Sequence, residues 1–250
     1  MIIAHLTYDM HSLHTCTMTC HSWYIVAVPH LHHTLVAPTC SLHKGKESAW
    51  PESLLYRHKL GLLPLVRLFW VREDGPNCVK FSPKLFNHKI LCQFSSLINV
   101  QELRIDNLDL PSFMPSIRQY FGHFLPTVHC LFLREPHGSR RQILYFIGMF
   151  QHLEDLGLLY DRGRFQNGPE NDPTLIPPFA PPLRGGLTVT CLTGVDLLKD
   201  MIDLFGGIRF RCMNLLGVGG IRLLLDACAR TLETVMLYPT DGERLPLRGI

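Results

Sequence analysis

Cysteine and histidine crowd the front of the chain: Cys16, Cys20, His21, His30, His32, His33, Cys40 and His43 fall within one stretch. Thiolate and imidazole are the ligands of structural zinc, which takes two close pairs, typically Cys-x2-4-Cys and then His-x3-5-His. Cys16-x3-Cys20 fits that spacing loosely, and His33 or Cys40 completes a set on paper. Against this chemistry, Cys16 and Cys20 share a helical face with Leu13 and Trp23, where small core residues are wanted. The histidines then read as surface residues, and zinc becomes the weaker reading.

Two other groupings invite chemistry. Gly217-Val218-Gly219-Gly220 follows a strand-like run and opens a helix-like one, as a dinucleotide loop does. Arg222 stands where the third glycine belongs, and a turn between strand and helix explains the glycines as well. Asp196, Asp200 and Asp203 stand at i, i+4 and i+7, opposite the apolar residues Leu198, Met201, Ile202 and Phe205, so they read as a solvated helix face. No G-x-S-x-G elbow, Walker loop, H-E-x-x-H or kinase signature occurs, and no stretch asks for enzymatic activity.

The elements behind these residues come from composition and period. At 250 residues, 46% hydrophobic and 18% charged, the chain suits one large domain or a domain plus a small module. A formal charge of +3 argues for neither nucleic acid nor a membrane surface. No apolar run reaches the roughly 18 residues of a membrane span, and the start lacks the charged and apolar regions of a secretory signal. Nine scattered cysteines look like buried small hydrophobes of a reducing compartment, so an intracellular protein of cytoplasm or nucleus is expected.

Six segments place apolar residues at relative positions −3, 0 and +2: Leu65/Leu68/Trp70, Val100/Leu103/Ile105, Val128/Leu131/Leu133, Leu153/Leu156/Leu158, Phe210/Met213/Leu215 and Leu232/Val235/Leu237. A seventh near Leu187 and Val189 fits in part. Each predicts a short half-buried strand. Between them, amphipathic stripes predict helices: Ile117/Tyr120/Phe121/Phe124, Ile143/Phe146/Ile147/Phe150, Leu198/Met201/Ile202/Phe205 and Ile221/Leu224/Leu225/Cys228. A strand–helix unit recurring every 22 to 35 residues predicts an irregular leucine-rich-repeat-like solenoid, each unit covering its neighbour's apolar face. A compact α/β domain with a parallel sheet is the rival, since alternation suits both. The expected layout is a helical module over 1–36, a linker and short helix over 37–63, repeats over 64–243 and a tail over 244–250. Six prolines within 161–182 mark an exposed insertion in the repeats.

In the front module, Leu13, Cys16, Cys20 and Trp23 at helical spacing share one side of a short helix that Pro29 ends, and with the preceding Met1–Leu6 the stretch predicts two small helices folding onto Trp23. A buried tryptophan there would cost roughly 3–5 kcal/mol to truncate to alanine.

The same residues carry a family resemblance. Ile2-Ile3-Ala4-His5-Leu6, then Leu13-x-x-Cys16-x-x-Thr19-Cys20-x-Ser22-Trp23, then Leu31, resemble an F-box, most closely that of F-box proteins abundant in mushroom-forming fungi. In this chain Thr19 stands where that family has Val, His21 where it has Arg, and His32 where it has Phe. The family's Leu-Pro-x-Glu opening has no counterpart, which places Met1 inside the first F-box helix. The resemblance implies a non-catalytic substrate-receptor subunit of a cullin-type ubiquitin ligase, without cofactor. It implies docking on a Skp-family adaptor through Ile2, Ile3, Leu6, Leu13, Cys16, Met18, Trp23 and Leu31, with the repeats holding a substrate protein. The alternatives are a repeat scaffold that does not reach the ligase and, more distantly, a zinc protein.

Overall fold

The computed structural model describes residues 9–38, 50–72, 92–107, 110, 122, 125–160, 183–190, 195–205 and 207–238. Two helices come first, α1 (Met10–Thr19) and α2 (His21–Leu31). Then β1 (Thr34–Pro38), α3 (Trp50–Lys59), β2 (Leu68–Arg72), β3 (Glu102–Asp106) and β4 (Cys130–Arg134) follow. The chain continues through α4 (Arg140–Ile147), β5 (Asp155–Leu159), β6 (Leu183–Thr190), α5 (Val195–Leu204), β7 (Ile208–Leu216), α6 (Ile221–Cys228) and β8 (Thr234–Tyr238). The expected helix around Ile117–Phe124, the insertion at 161–182 and the tail at 244–250 lie outside the described residues. No helix among the described residues is long and apolar enough to cross a membrane.

Among the described residues the strands form one parallel eight-stranded sheet whose order is the chain order, β1 through β8. Alternation sends every second side chain to one face. In register, Leu35, Phe69, Leu103, Leu131, Leu156, Leu187, Met213 and Val235 make one row, and Ala37, Val71, Ile105, Leu133, Leu158, Val189, Leu215 and Leu237 the next. As far as β7 these residues are buried, in one core with helix residues such as Leu54, Phe146, Ile147, Met201 and Leu224. Among the described residues, α3, α4, α5 and α6 therefore pack against that face. At β8 the rows open: Val235 is half-buried and Leu237 is 36% exposed.

Neighbouring units repeat their joints. The His33 carbonyl accepts from both Arg67 N and Leu68 N, at 2.8 and 3.0 Å. The carbonyls of Arg67, Gln101 and His129 do the same for the first two residues of the next unit. Side chains add to the joints where each strand is approached: Asn99 Nδ2 donates to Pro64 O, Thr127 Oγ1 to Val100 O and Thr231 Oγ1 to Phe210 O, at 2.8, 2.7 and 3.1 Å. These polar groups satisfy carbonyls that the sheet ladder does not reach. β6 carries a bulge at Gly185/Gly186, and glycine is required there: Gly185 has φ +80°, and a Cβ would sit 2.1 Å from Glu154 O.

Four expectations are corrected. The buried residues are Phe69 and Val71 of β2 and Val66 just before it, not Leu65, Leu68 and Trp70. Leu-Phe-Trp-Val is apolar at every position, so alternation did not set its phase, and a slip of one residue exchanges the faces. Thr34–Pro38, which the expected layout splits between the helical module and the linker, is the first strand of the sheet. The partial seventh segment is a full strand with Leu187 and Val189 buried. Pro29 does not end α2, which runs on to Leu31. Only the donor to the Ile25 carbonyl is lost, in the last turn and at an exposed residue where water can replace it.

Candidate interaction surfaces

The first surface is the helical pair. Asp9 caps α1, accepting from Ser12 N at 3.0 Å and Ser12 Oγ at 2.6 Å, which holds its carboxylate below the usual range. α1 stops at Thr19, and Cys20 is extended (φ −162°, ψ 168°), so α2 starts with a new helical phase. That break separates Trp23 from the stripe it was expected to share. The two helices meet through Leu13, Cys16 and Ala27, with Val26 and Leu31 packed at the edge, and this small core is distinct from that of the sheet. Trp23 is 41% exposed instead of central, beside exposed Tyr24 and Ile25, and Met18 on α1 is 76% exposed.

The residues expected to dock an adaptor thus divide. Leu13 and Cys16 lie inside the pair, Leu31 is half-buried, and Met18 and Trp23 face outward. Ile2, Ile3 and Leu6 lie outside the described residues. Among the described residues no three His, Cys, Asp or Glu side chains converge as a metal would require. Cys16 is in the small core and Cys20 is exposed. Cys40 and His43 are outside the described residues.

His32 and His33 link α2 to β1. Burial lowers the His32 imidazole below its ordinary value, with Arg57 adding to the effect, and Nδ1 of His32 is buried without a hydrogen-bond partner. Burial lowers His33 too, opposed by Glu102 and assisted by His30 and Arg67. Arg57 of α3 donates from Nη1 to Thr34 O at 3.0 Å, fastening the first strand.

The second surface is the opposite face of the sheet, which no helix covers among the described residues. Trp70, Arg104, Phe132, Gly157, Thr188, Asn214 and Met236 stand side by side along its middle row. The side chains of β2–β4 interlock. Trp70 donates from Nε1 to Asp106 Oδ2 at 3.0 Å, and the Arg72 guanidinium lies 5.2 Å from the Trp70 ring centre. Arg104 pairs with Glu102 and lies 5.3 Å from the centre of the Phe132 ring, a cation–π arrangement. Phe132 leans over Gly157, where a Cβ would come within 2.2 Å of the ring. Burial raises the Asp106 carboxyl, opposed by the Trp70 hydrogen bond and by Arg134, Arg72 and Arg104. Cys130 Sγ meets Asp155 Oδ2 at 3.5 Å, and burial, followed by that carboxylate, pushes its thiol up to about 12.

Sequence reasoning left this open face unassigned. Its signal was the identity of the residues between the inward ones, and Trp70 was hidden by the slipped phase of β2. The remaining groupings are structural. Gly217 and Gly220 adopt positive φ (57° and 74°) in the turn from β7 to α6. Asp196 and Asp200 of α5 reach Arg140 Nη1 of α4 at 3.1 and 3.7 Å, so two of the three aspartates tie neighbouring helices. Comparison with protein-family models, curated proteins and solved structures finds no match.

Proposed function

We propose that the chain is a non-catalytic substrate receptor of a cullin-type ubiquitin ligase, its helical pair docking a Skp-family adaptor and its sheet unit receiving a substrate protein. The observation that carries this reading is the helical pair itself. It has a core of its own in Leu13, Cys16 and Ala27 and leaves Met18, Trp23, Tyr24 and Ile25 exposed, ahead of a much larger sheet unit. Exposed aromatic and Met side chains around a small rigid support are what a protein partner buries. In this reading Leu13, Cys16 and Leu31 hold the pair in shape, and Met18 and Trp23 touch the adaptor.

The sheet unit reads as stacked leucine-rich-repeat-like units. The chain-ordered parallel strands and the forked carbonyl bond at four successive joints support it, because a doubly wound sheet reverses its order at a switch point. Such a receptor acts by proximity, raising the effective concentration of substrate lysines near a charged ubiquitin-conjugating enzyme. Capture of the purified chain on an immobilised Skp-family adaptor tests the reading. Retention of wild type and loss of Met18→Glu are expected. A folded chain that passes through unretained removes the ligase role and leaves the scaffold alternative.

A further inference from the structure

We infer that β8 pairs antiparallel with β8 of a second copy of the chain across a two-fold axis at Met236, joining two sheets edge to edge in a reversible dimer. The inference is independent of the ligase reading. Among the described residues no strand pairs with the outer side of β8. The ladder with β7 fixes which of its backbone groups face outward. Tyr238 O accepts from Gly217 N at 3.4 Å, and in a parallel ladder alternate residues bond to one neighbour. Thr234, Met236 and Tyr238 therefore turn their backbone groups to β7, and Val235 and Leu237 turn theirs outward. In an antiparallel pair, directly opposed residues of one kind exchange both N–H···O bonds. With the axis at Met236, Val235 of each copy opposes Leu237 of the other, so every outward donor and acceptor of these two residues finds a partner.

The side chains agree with that register. Val235 and Leu237 belong to the apolar rows that are buried as far as β7 and open at β8, and pairing them with each other carries both rows across the axis. On the other face Met236 meets its own copy, and Thr234 meets Tyr238, a β-branched–aromatic pair. Thr234 to Tyr238 carry no charge, and Glu233 just before them is paired with Arg211 at 3.3 Å, so the strands set no like charges opposite each other.

The opposite edge of the sheet is blunted. Leu68 N donates to His33 O, so by the same alternation Thr34, Val36 and Pro38 turn their backbone groups away from β2. Arg57 Nη1 occupies Thr34 O at 3.0 Å, and Pro38 has no N–H to offer. Head-to-tail growth of β8 on β1 is thereby disfavoured, and the symmetric pair closes on itself. Five paired residues cover less than the roughly 800 Å² per partner of a standard interface, so the dimer is weak and concentration-dependent.

The test is analytical ultracentrifugation of the full chain from about 1 to 200 μM. The mass should rise from 28.6 kDa to twice that value and stop there. Leu237→Pro removes an outward N–H that the β7 ladder does not use, and so removes one bond on each side of the axis. It should weaken the dimer at least tenfold, with melting curves to check that the variant folds. Met236→Lys, which sets two ammonium groups opposite each other, should weaken it several-fold. Val36→Lys on the far edge should leave it unchanged. The register has its own readout: under mild oxidation Met236→Cys should link to its own copy, identified by mass spectrometry, whereas Thr234→Cys should not. A chain that stays monomeric throughout would overturn the proposal, as would mass growing past the dimer, a dimer weakened by Val36→Lys, or folded Leu237→Pro that associates like wild type.

Discussion

The indole of Trp70 and the carboxylate of Asp106 join β2 to β3 by a 3.0 Å hydrogen bond on the open face of the sheet. The bond holds the largest side chain of that face in one orientation and gives a half-buried acid a partner. Burial still dominates, and the carboxyl sits above its ordinary value. A raised folded value means that Asp106 favours folding most when protonated, and this contribution is lost as pH rises through the folded value. Asp106→Asn keeps an acceptor for the indole and removes the charge. Its unfolding midpoint in urea at neutral pH should equal or exceed that of wild type, and its stability should decline less than wild type's as pH rises from about 4. Trp70→Phe removes the donor and should cost about 1–2 kcal/mol.

Truncation at the two ends of the helical pair should separate support from contact. Leu13 is fully buried between α1 and α2, so Leu13→Ala should cost roughly 2–4 kcal/mol and melt the pair, read as lost helical circular dichroism. Trp23 is partly exposed, so Trp23→Ala should cost about 1 kcal/mol or less, well under the figure for a buried tryptophan. Equal losses of helical signal would contradict this division.

Acid should loosen the joint between α2 and β1. His32 is held below its ordinary value by burial and by Arg57, so the unfolded chain takes the proton first. The stability is present above about pH 6.5 and drains away as pH falls through the lower folded value. Urea midpoints for wild type should drop between about pH 7.5 and pH 5.5, and the drop should shrink in His32→Phe. An unchanged slope in that variant would place the pH response elsewhere.

Thiol reactivity should report the Cys130–Asp155 contact. With its thiol pushed up to about 12, Cys130 stays protonated at neutral pH and reacts slowly. Mass spectrometry after brief alkylation should find Cys20, Cys92 and Cys212, all exposed, modified before Cys130. Asp155→Asn should speed Cys130 several-fold, by removing a nearby negative charge but not the burial.

How far the structure was legible depended on how local its causes are. Leu103/Ile105 announced its strand because a polar residue follows each inward one, and Leu156/Leu158 and Met213/Leu215 because Gly157 and Asn214 separate the inward pair. Leu68–Val71 did not, since an unbroken apolar run has no phase, and the error hid Trp70. The break at Cys20 has no glycine or proline to mark it, so a single helix through Trp23 satisfied the same spacing. The pairings of Trp70 with Asp106 and of Arg140 with Asp196 and Asp200 join residues far apart in the chain, and only the sheet register and helix packing bring them together.

The central claim is that the front helices present a surface to a Skp-family adaptor. Calorimetric titration of the full chain with that purified adaptor tests it most directly, with Met18→Glu/Trp23→Ala and Arg104→Glu proteins alongside. The account predicts a one-to-one complex, weakened at least tenfold by the double change in the helices and unaffected by the change in the sheet. No heat of binding from a wild-type chain that melts cooperatively, or equal binding by the double variant, would contradict it.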